Sequence, residues 1–190
     1  MSKKINLINL ILEGEGGYVN DPDDSGGRTY KGISEKNFPN WEGWNIINKY
    51  EPLKRGQVIR DEDLEEEIYE FYLVHFYSKL KIDQINNLYI SAHLLDHGVN
   101  AGISNGVKCL QRAVNKTCPA NLSVDGKIGP RTINEANTCS PRILLDNFIK
   151  ERQEYYKSIV TKNPKQEKFL KGWLNRIDNV NKYINNLKEK

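Results

Sequence analysis

Glu15 and Asp24 stand nine positions apart, with Thr29 five further on, inside the stretch E-G-G-Y-V-N-D-P-D-D-S-G-G-R-T-Y-K-G-I-S that runs from Glu15 to Ser34. A carboxyl at the end of one element, facing a second carboxyl on a constrained loop, suits hydrolysis of a glycosidic bond. One group protonates the leaving oxygen. The other steers water or stabilises an oxocarbenium-like centre. Glu15 suits the first task because it follows an apolar helical run, and the negative pole of a helix disfavours a charged carboxylate there. Partial burial near Tyr18 acts in the same direction. Asp24 suits the second, held between Pro22 and Gly26-Gly27, with the Thr29 hydroxyl placed to help position water. Asp21 and Asp23 read as turn-formers. The loop lacks the spacing and the final Glu of an EF-hand, so no metal is expected there.

Stepping outward, these groups need a helix before them and a hairpin after them. Ile5, Leu7, Ile8, Leu10, Ile11 and Leu12 predict an apolar helix of about three turns, stopped by Gly14, Gly16 and Gly17. Residues 24–34 predict a small β-hairpin with Gly32 inside it. A short helix is expected over 44–50. Asp61 is a good N-cap for a long helix with an acidic first turn, running to about Leu80. Further helices are expected over 88–99 and 105–115, after Pro130, over 140–160 and over 166–187. The fold class is therefore mainly α and lysozyme-like in logic. We expect two lobes, residues 1–95 and 96–190.

Composition narrows the function classes. Residues 1–95 carry 11 basic and 16 acidic side chains, net −5, whereas residues 96–190 carry 17 and 9, net +8. The basic half suits a polyanion such as cell wall. The acidic half and the lack of a compact basic-aromatic motif argue against nucleic acid. No run approaches the length of a membrane span. Lys3-Lys4 before the apolar run imitates a leader, but Asn6 and Asn9 interrupt it and no small-x-small site follows, so synthesis in the cytoplasm without a clear signal peptide is expected. His93 and His97 have two-His spacing on a helix. The sequence between them is Leu-Leu-Asp and no third ligand is evident, so Asp96 and a core role are favoured over zinc. Cys109, Cys118 and Cys139 form no C-x-x-C pair. Reduced thiols are expected, with Cys109–Cys118 as the alternative bridge. Tyr18 and Tyr30 are candidate cleft walls, and Trp173 reads as packing of the final helix.

The pattern E-G-G-Y-V-N-D-P-x-D-x-G-G-x-T-x-x-G-I-S closely resembles the signature of glycoside hydrolase family 108, whose members include phage endolysins and bacterial muramidase-like proteins. The resemblance implies a lysozyme-type peptidoglycan hydrolase with Glu15 as the catalytic acid, cleaving the β-1,4 link after N-acetylmuramic acid without a cofactor. Lytic transglycosylation is the rival chemistry. A wall-binding or secretion-assisting protein without activity is the rival class. The Glu…Asp…Thr order also resembles phage-type lysozymes, although the step from Asp24 to Thr29 is one residue shorter. Leu95-Asp-His-Gly-Val-Asn-Ala-Gly102, Val124-Asp-Gly-Lys-Ile-Gly-Pro-Arg-Thr132 and Phe169-Leu-Lys-Gly-Trp-Leu-Asn-Arg176 resemble the companion peptidoglycan-binding domain. Asn100 and Arg131 are its candidate substrate contacts. The expected partner is the glycan strand, met by a monomer acting on the wall.

Overall fold

The computed structural model describes residues 2–20 and 27–188. Among the described residues it holds eight α-helices and one two-stranded antiparallel sheet, so the chain is mainly α and lysozyme-like, as the periodicity predicts. Two compact units divide it: Ile11–His75, and the residues up to Leu10 together with those from Phe76 onward.

In the first unit, α1 (Lys3–Gly14) supplies its last turn, with Ile11 buried. The hairpin is shorter than expected, β1 being Thr29–Tyr30 and β2 Ile33–Ser34. Lys31 and Gly32 form its two-residue turn with φ of 47° and 77°. Both positive angles match the I′ turn that the right-handed twist of a hairpin favours. Tyr30 pairs with Ile33 on the buried side, and Thr29 with Ser34 on the other. The helix α2 (Gly43–Asn48) packs on α3 (Glu62–Tyr72). Asp61 does cap α3, accepting from the Leu64 N–H at 2.9 Å. The α-helix nevertheless ends eight residues short of Leu80. A π-helical turn, Leu73–Tyr77, takes over, because the extra residue per turn shifts the register of the side chains beyond Tyr72.

The second unit is built round α4 (Leu88–Ala101), in which every residue from Ile90 to Gly98 is buried. Helices α5 (Ile103–Thr117), α7 (Pro141–Lys162) and α8 (Glu167–Lys188) surround it, and α6 (Pro130–Thr138) packs on α5 and α7. Gly102, at φ 93°, makes the break between α4 and α5. Cysteine pairing departs from expectation. Cys118 and Cys139 form a disulfide, with Cα atoms 6.0 Å apart, and Cys109 alone is free and buried. Cys118 and Cys139 follow the last residues of α5 and α6, two helices packed together, whereas Cys109 is turned into the core from the middle of α5. Closing a loop of this size stabilises a fold by about 3 kcal/mol.

His93, Asp96 and His97 belong to this core. Asp96 accepts from Arg152 and from the Arg176 Nε at 2.7 Å. An Arg152 N–H points at His93 Nδ1, which leaves Nε2 to donate to Asn181 Oδ1 at 2.9 Å. His97 lies 3.6 Å from the Cys109 sulfur and 3.3 Å from the Tyr156 hydroxyl. Burial, and then the nearby Arg152 charge, push the His93 imidazole down to about 3 and that of His97 down to about 2. An unfolded histidine titrates near about 6.5. Below that pH the unfolded chain binds protons that the folded one refuses, so this stability is complete above about 6.5 and is lost as pH falls toward the folded values. We expect the thermal midpoint to drop between pH 7 and pH 5, a range above ordinary carboxylate titration. A flat profile over that range would refute the neutral, buried assignment.

Candidate active site

Glu15 follows the last residue of α1 directly, its N–H donating to the Leu12 carbonyl at 3.3 Å. The chain then enters a close crossing of backbones. Tyr18 N donates to Gln57 O at 2.9 Å, Gly56 N to Tyr18 O at 2.7 Å, and Val19 exchanges two hydrogen bonds with Thr29 at 2.8 and 2.7 Å. A Cβ on Gly17 would stand 2.5 Å from the Gln57 carbonyl oxygen, so only glycine admits that approach. The segment after Glu15 is thus stitched to the 56–57 turn on one side and to β1 on the other. Thr29 enters through this pairing, as an extra rung beside the hairpin.

The hairpin tip reaches the catalytic candidate itself. A Cβ built on Gly32 would lie 2.6 Å from Glu15 Oε2 and 2.7 Å from the Tyr72 hydroxyl. The carboxyl of Glu15 and the phenol of Tyr72 therefore both lie against the bare Cα of Gly32. Tyr72, on the last turn of α3, donates to the Lys31 carbonyl at 2.6 Å and pins the tip from its other side. Residue types and spacing do not expose Tyr72 as part of this arrangement. The one available signal is Gly32, an isolated glycine within a strand pattern, which often marks a close approach. Gly32→Ala should lower turnover of purified peptidoglycan by about 100-fold through displacement of Glu15 by about 1 Å. The left-handed φ adds about 1–2 kcal/mol of strain. Turnover within a few-fold of wild type would show that the Glu15 position tolerates the shift.

Arg28 holds the start of β1. Its Nε donates to Glu35 Oε2 at 2.7 Å, its Nη1 donates to Asn48 Oδ1 at 2.7 Å and to Glu51 Oε1 at 3.1 Å, and its guanidinium lies 5.3 Å from the Trp44 ring. This pairing holds the Glu35 carboxyl below the usual carboxylate range. The Glu51 carboxyl is lowered first by the Tyr18 hydroxyl, which donates to it at 2.7 Å, and then by Arg28. Tyr18 and Tyr30 do not offer open rings. They are 3% and 1% exposed, and the Tyr30 oxygen accepts from the Ile59 N–H at 2.9 Å. As placed, both pack beneath the site, because each hydroxyl is spent on a partner within the fold. Asp24, with Asp21 and Asp23, lies outside the described residues.

Comparison with known proteins gives the family. Residues 8–102, half of the chain, match the family model described as Glycosyl hydrolase 108. The chain belongs to the glycosyl hydrolase 108 family. Residues 105–178 of this glycosyl hydrolase 108 protein match a second model, described as Predicted Peptidoglycan domain. Together they make the protein a glycoside hydrolase that acts on peptidoglycan. None of the curated proteins matches it. Among solved structures, one described as the structure of Brucella abortus SagA is 22% identical, with a TM-score of 0.69. The match covers 95% of this chain and 93% of that one, a likeness of fold.

In the peptidoglycan-domain half of the glycosyl hydrolase 108 chain, the D-G-K-I-G-P-R-T turn is organised by one buried side chain. Gln111, 2% exposed, donates to Asp125 Oδ1 at 2.8 Å and to the Lys127 carbonyl at 3.2 Å, and its own oxygen accepts from Gly126 N at 3.0 Å. The turn residues therefore serve architecture before any ligand. Arg131 donates to the Ala120 carbonyl at 2.7 Å, and Asn100 accepts from the Tyr156 hydroxyl at 2.7 Å. Both are exposed, so these internal bonds leave part of each side chain facing solvent. Trp173 stacks on Tyr156 at 5.2 Å, as a packing residue does. No helix among the described residues is long and apolar enough to cross a membrane.

Proposed function

We propose that this peptidoglycan hydrolase is an N-acetylmuramidase that cleaves the β-1,4 bond between N-acetylmuramic acid and N-acetylglucosamine. Glu15 protonates the glycosidic oxygen as the bond to the muramic acid breaks. Asp24 positions the attacking water or stabilises the positive charge that develops on the sugar ring, and Thr29 assists with its hydroxyl. One observation supports this most: the Glu15 carboxyl is held at the end of α1 against the bare Cα of Gly32. Preorganising an acid in this way lowers the cost of orienting it at the moment of reaction. Residues 1–95 carry the catalytic work in this reading, and residues 96–190 bind the wall, with Asn100 and Arg131 offering polar contacts to the glycan.

Mass spectrometry of products from defined peptidoglycan tests the assignment. Fragments ending in reducing N-acetylmuramic acid are expected. Reducing N-acetylglucosamine ends would move the cleaved bond, 1,6-anhydro-muramyl ends would make the enzyme a lytic transglycosylase, and binding without any products would leave a wall-binding protein.

A further inference from the structure

A concave feature lies within the Ile11–His75 unit, a hollow of about 450 Å³ whose walls include Phe38, Trp41, Phe71 and His75, with Glu42 and Glu67 among its lining residues. Glu67, Phe71 and His75 follow one another at four-residue steps along α3 and into the π-helical turn, which is how one face of that element comes to line it. Phe38 meets Phe71 edge-on at 4.6 Å and His75 at 5.0 Å with the planes 70° apart, and Trp41 is inclined 61° to Phe71. His75 itself stacks on Phe71 at 4.5 Å. The Trp41 indole donates to the Glu67 carbonyl at 3.4 Å, which fixes that ring beside the Glu67 residue.

Sugars and cations both use aromatic rings, and the geometry separates them. A pyranose needs one broad, flat ring face. Here Phe38 and Trp41 meet Phe71 at steep angles and His75 covers one Phe71 face, so no broad open platform is offered, whereas an ammonium needs only a small patch of π-face beside carboxylates. Charge agrees. Among the described residues no lysine or arginine lines the hollow and two glutamates do, and residues 11–75 carry 15 acidic against 7 basic side chains, net −8. We propose that this hollow binds an aliphatic ammonium group, the side-chain amine of a diamino acid in the peptides attached to the glycan. The source of the amine rests on the peptidoglycan reading above, whereas the ammonium chemistry rests on the hollow alone. Such a contact would let the enzyme distinguish strands by the state of their peptides: free amines would be held, and amidated or cross-linked amines would not.

The test follows the Trp41 indole N–H resonance of the full-length protein, assigned by its loss in Trp41→Phe. Nα-acetyl-lysine methylamide should shift it saturably with a Kd of about 1–10 mM, a weak contact suited to a repeating polymer. The Nε-acetylated counterpart should not shift it, and Glu67→Gln, nearly isosteric at a half-buried position, should weaken the free-amine titration by about tenfold. Equal shifts from both lysine compounds, an unchanged titration in Glu67→Gln, a shift from N-acetylglucosamine alone, or none from any probe would each overturn the proposal. The probe has no glycosidic bond. Failure here with intact glycan cleavage sinks only this inference, and success without cleavage sinks only the hydrolase reading.

Discussion

Glu15→Gln is expected to reduce release of reducing ends from purified cell wall by about 10³-fold, the scale of a lost general acid. The substitution keeps the shape of the side chain, so contact with Gly32 is retained and the thermal midpoint should stay close to wild type. That pairing of dead chemistry with an intact fold separates proton donation from any structural role. Near-normal turnover in the variant would remove Glu15 from the mechanism. Glu15→Asp is an informative companion. It retains a proton but shortens the reach by one methylene, so a loss of comparable size would show that position matters as much as acidity.

The second large effect concerns stability rather than chemistry. Arg152 is wholly buried, pairs with Asp96 and points a second N–H at His93. Its Nε finds no partner among the described residues, so the guanidinium is held through its terminal nitrogens. Among the described residues, removing it leaves Asp96 as a buried carboxylate answered by Arg176 at the edge of the core. Breaking a buried pair from one side costs about 3–5 kcal/mol. Arg152→Met should therefore lower stability by about that amount in chemical denaturation. The double variant Arg152→Met, Asp96→Leu should recover a large part of it, because replacing both partners by apolar groups removes the stranded charge. No recovery would mean that packing, not charge, sets the loss.

Local rules read much of this chain correctly. The apolar run before Gly14, the acidic first turn after Asp61 and the proline at 130 each announce an element through chemistry contained in a few residues. The contacts that build the site are of another kind. Tyr72 reaches the Lys31 carbonyl across 41 positions, and Gln111 organises a turn 14 to 16 positions away. The Cys118–Cys139 bridge depends on α5 and α6 ending side by side. Periodicity reports which face of an element is buried, but not which partner it meets, so these pairs are invisible until the fold brings them together. Tyr18 and Tyr30 show the converse. Their type suggests a sugar platform, yet burial settles their rings and hydroxyls inside the unit.

The Lys31–Gly32 turn alters how a mutational scan of this enzyme would read. Position 32 contributes no functional group, yet any side chain placed there meets both Glu15 and Tyr72 and must also adopt a left-handed backbone. Scored by wall lysis, it would rank beside Glu15, the proposed acid, with a smaller but still large loss. Scored by expression of folded protein, it would separate from Glu15, because the strain is felt by the fold and the lost acid is not. An investigator ranking positions by lysis alone would enrol a residue with no side chain among the catalytic ones.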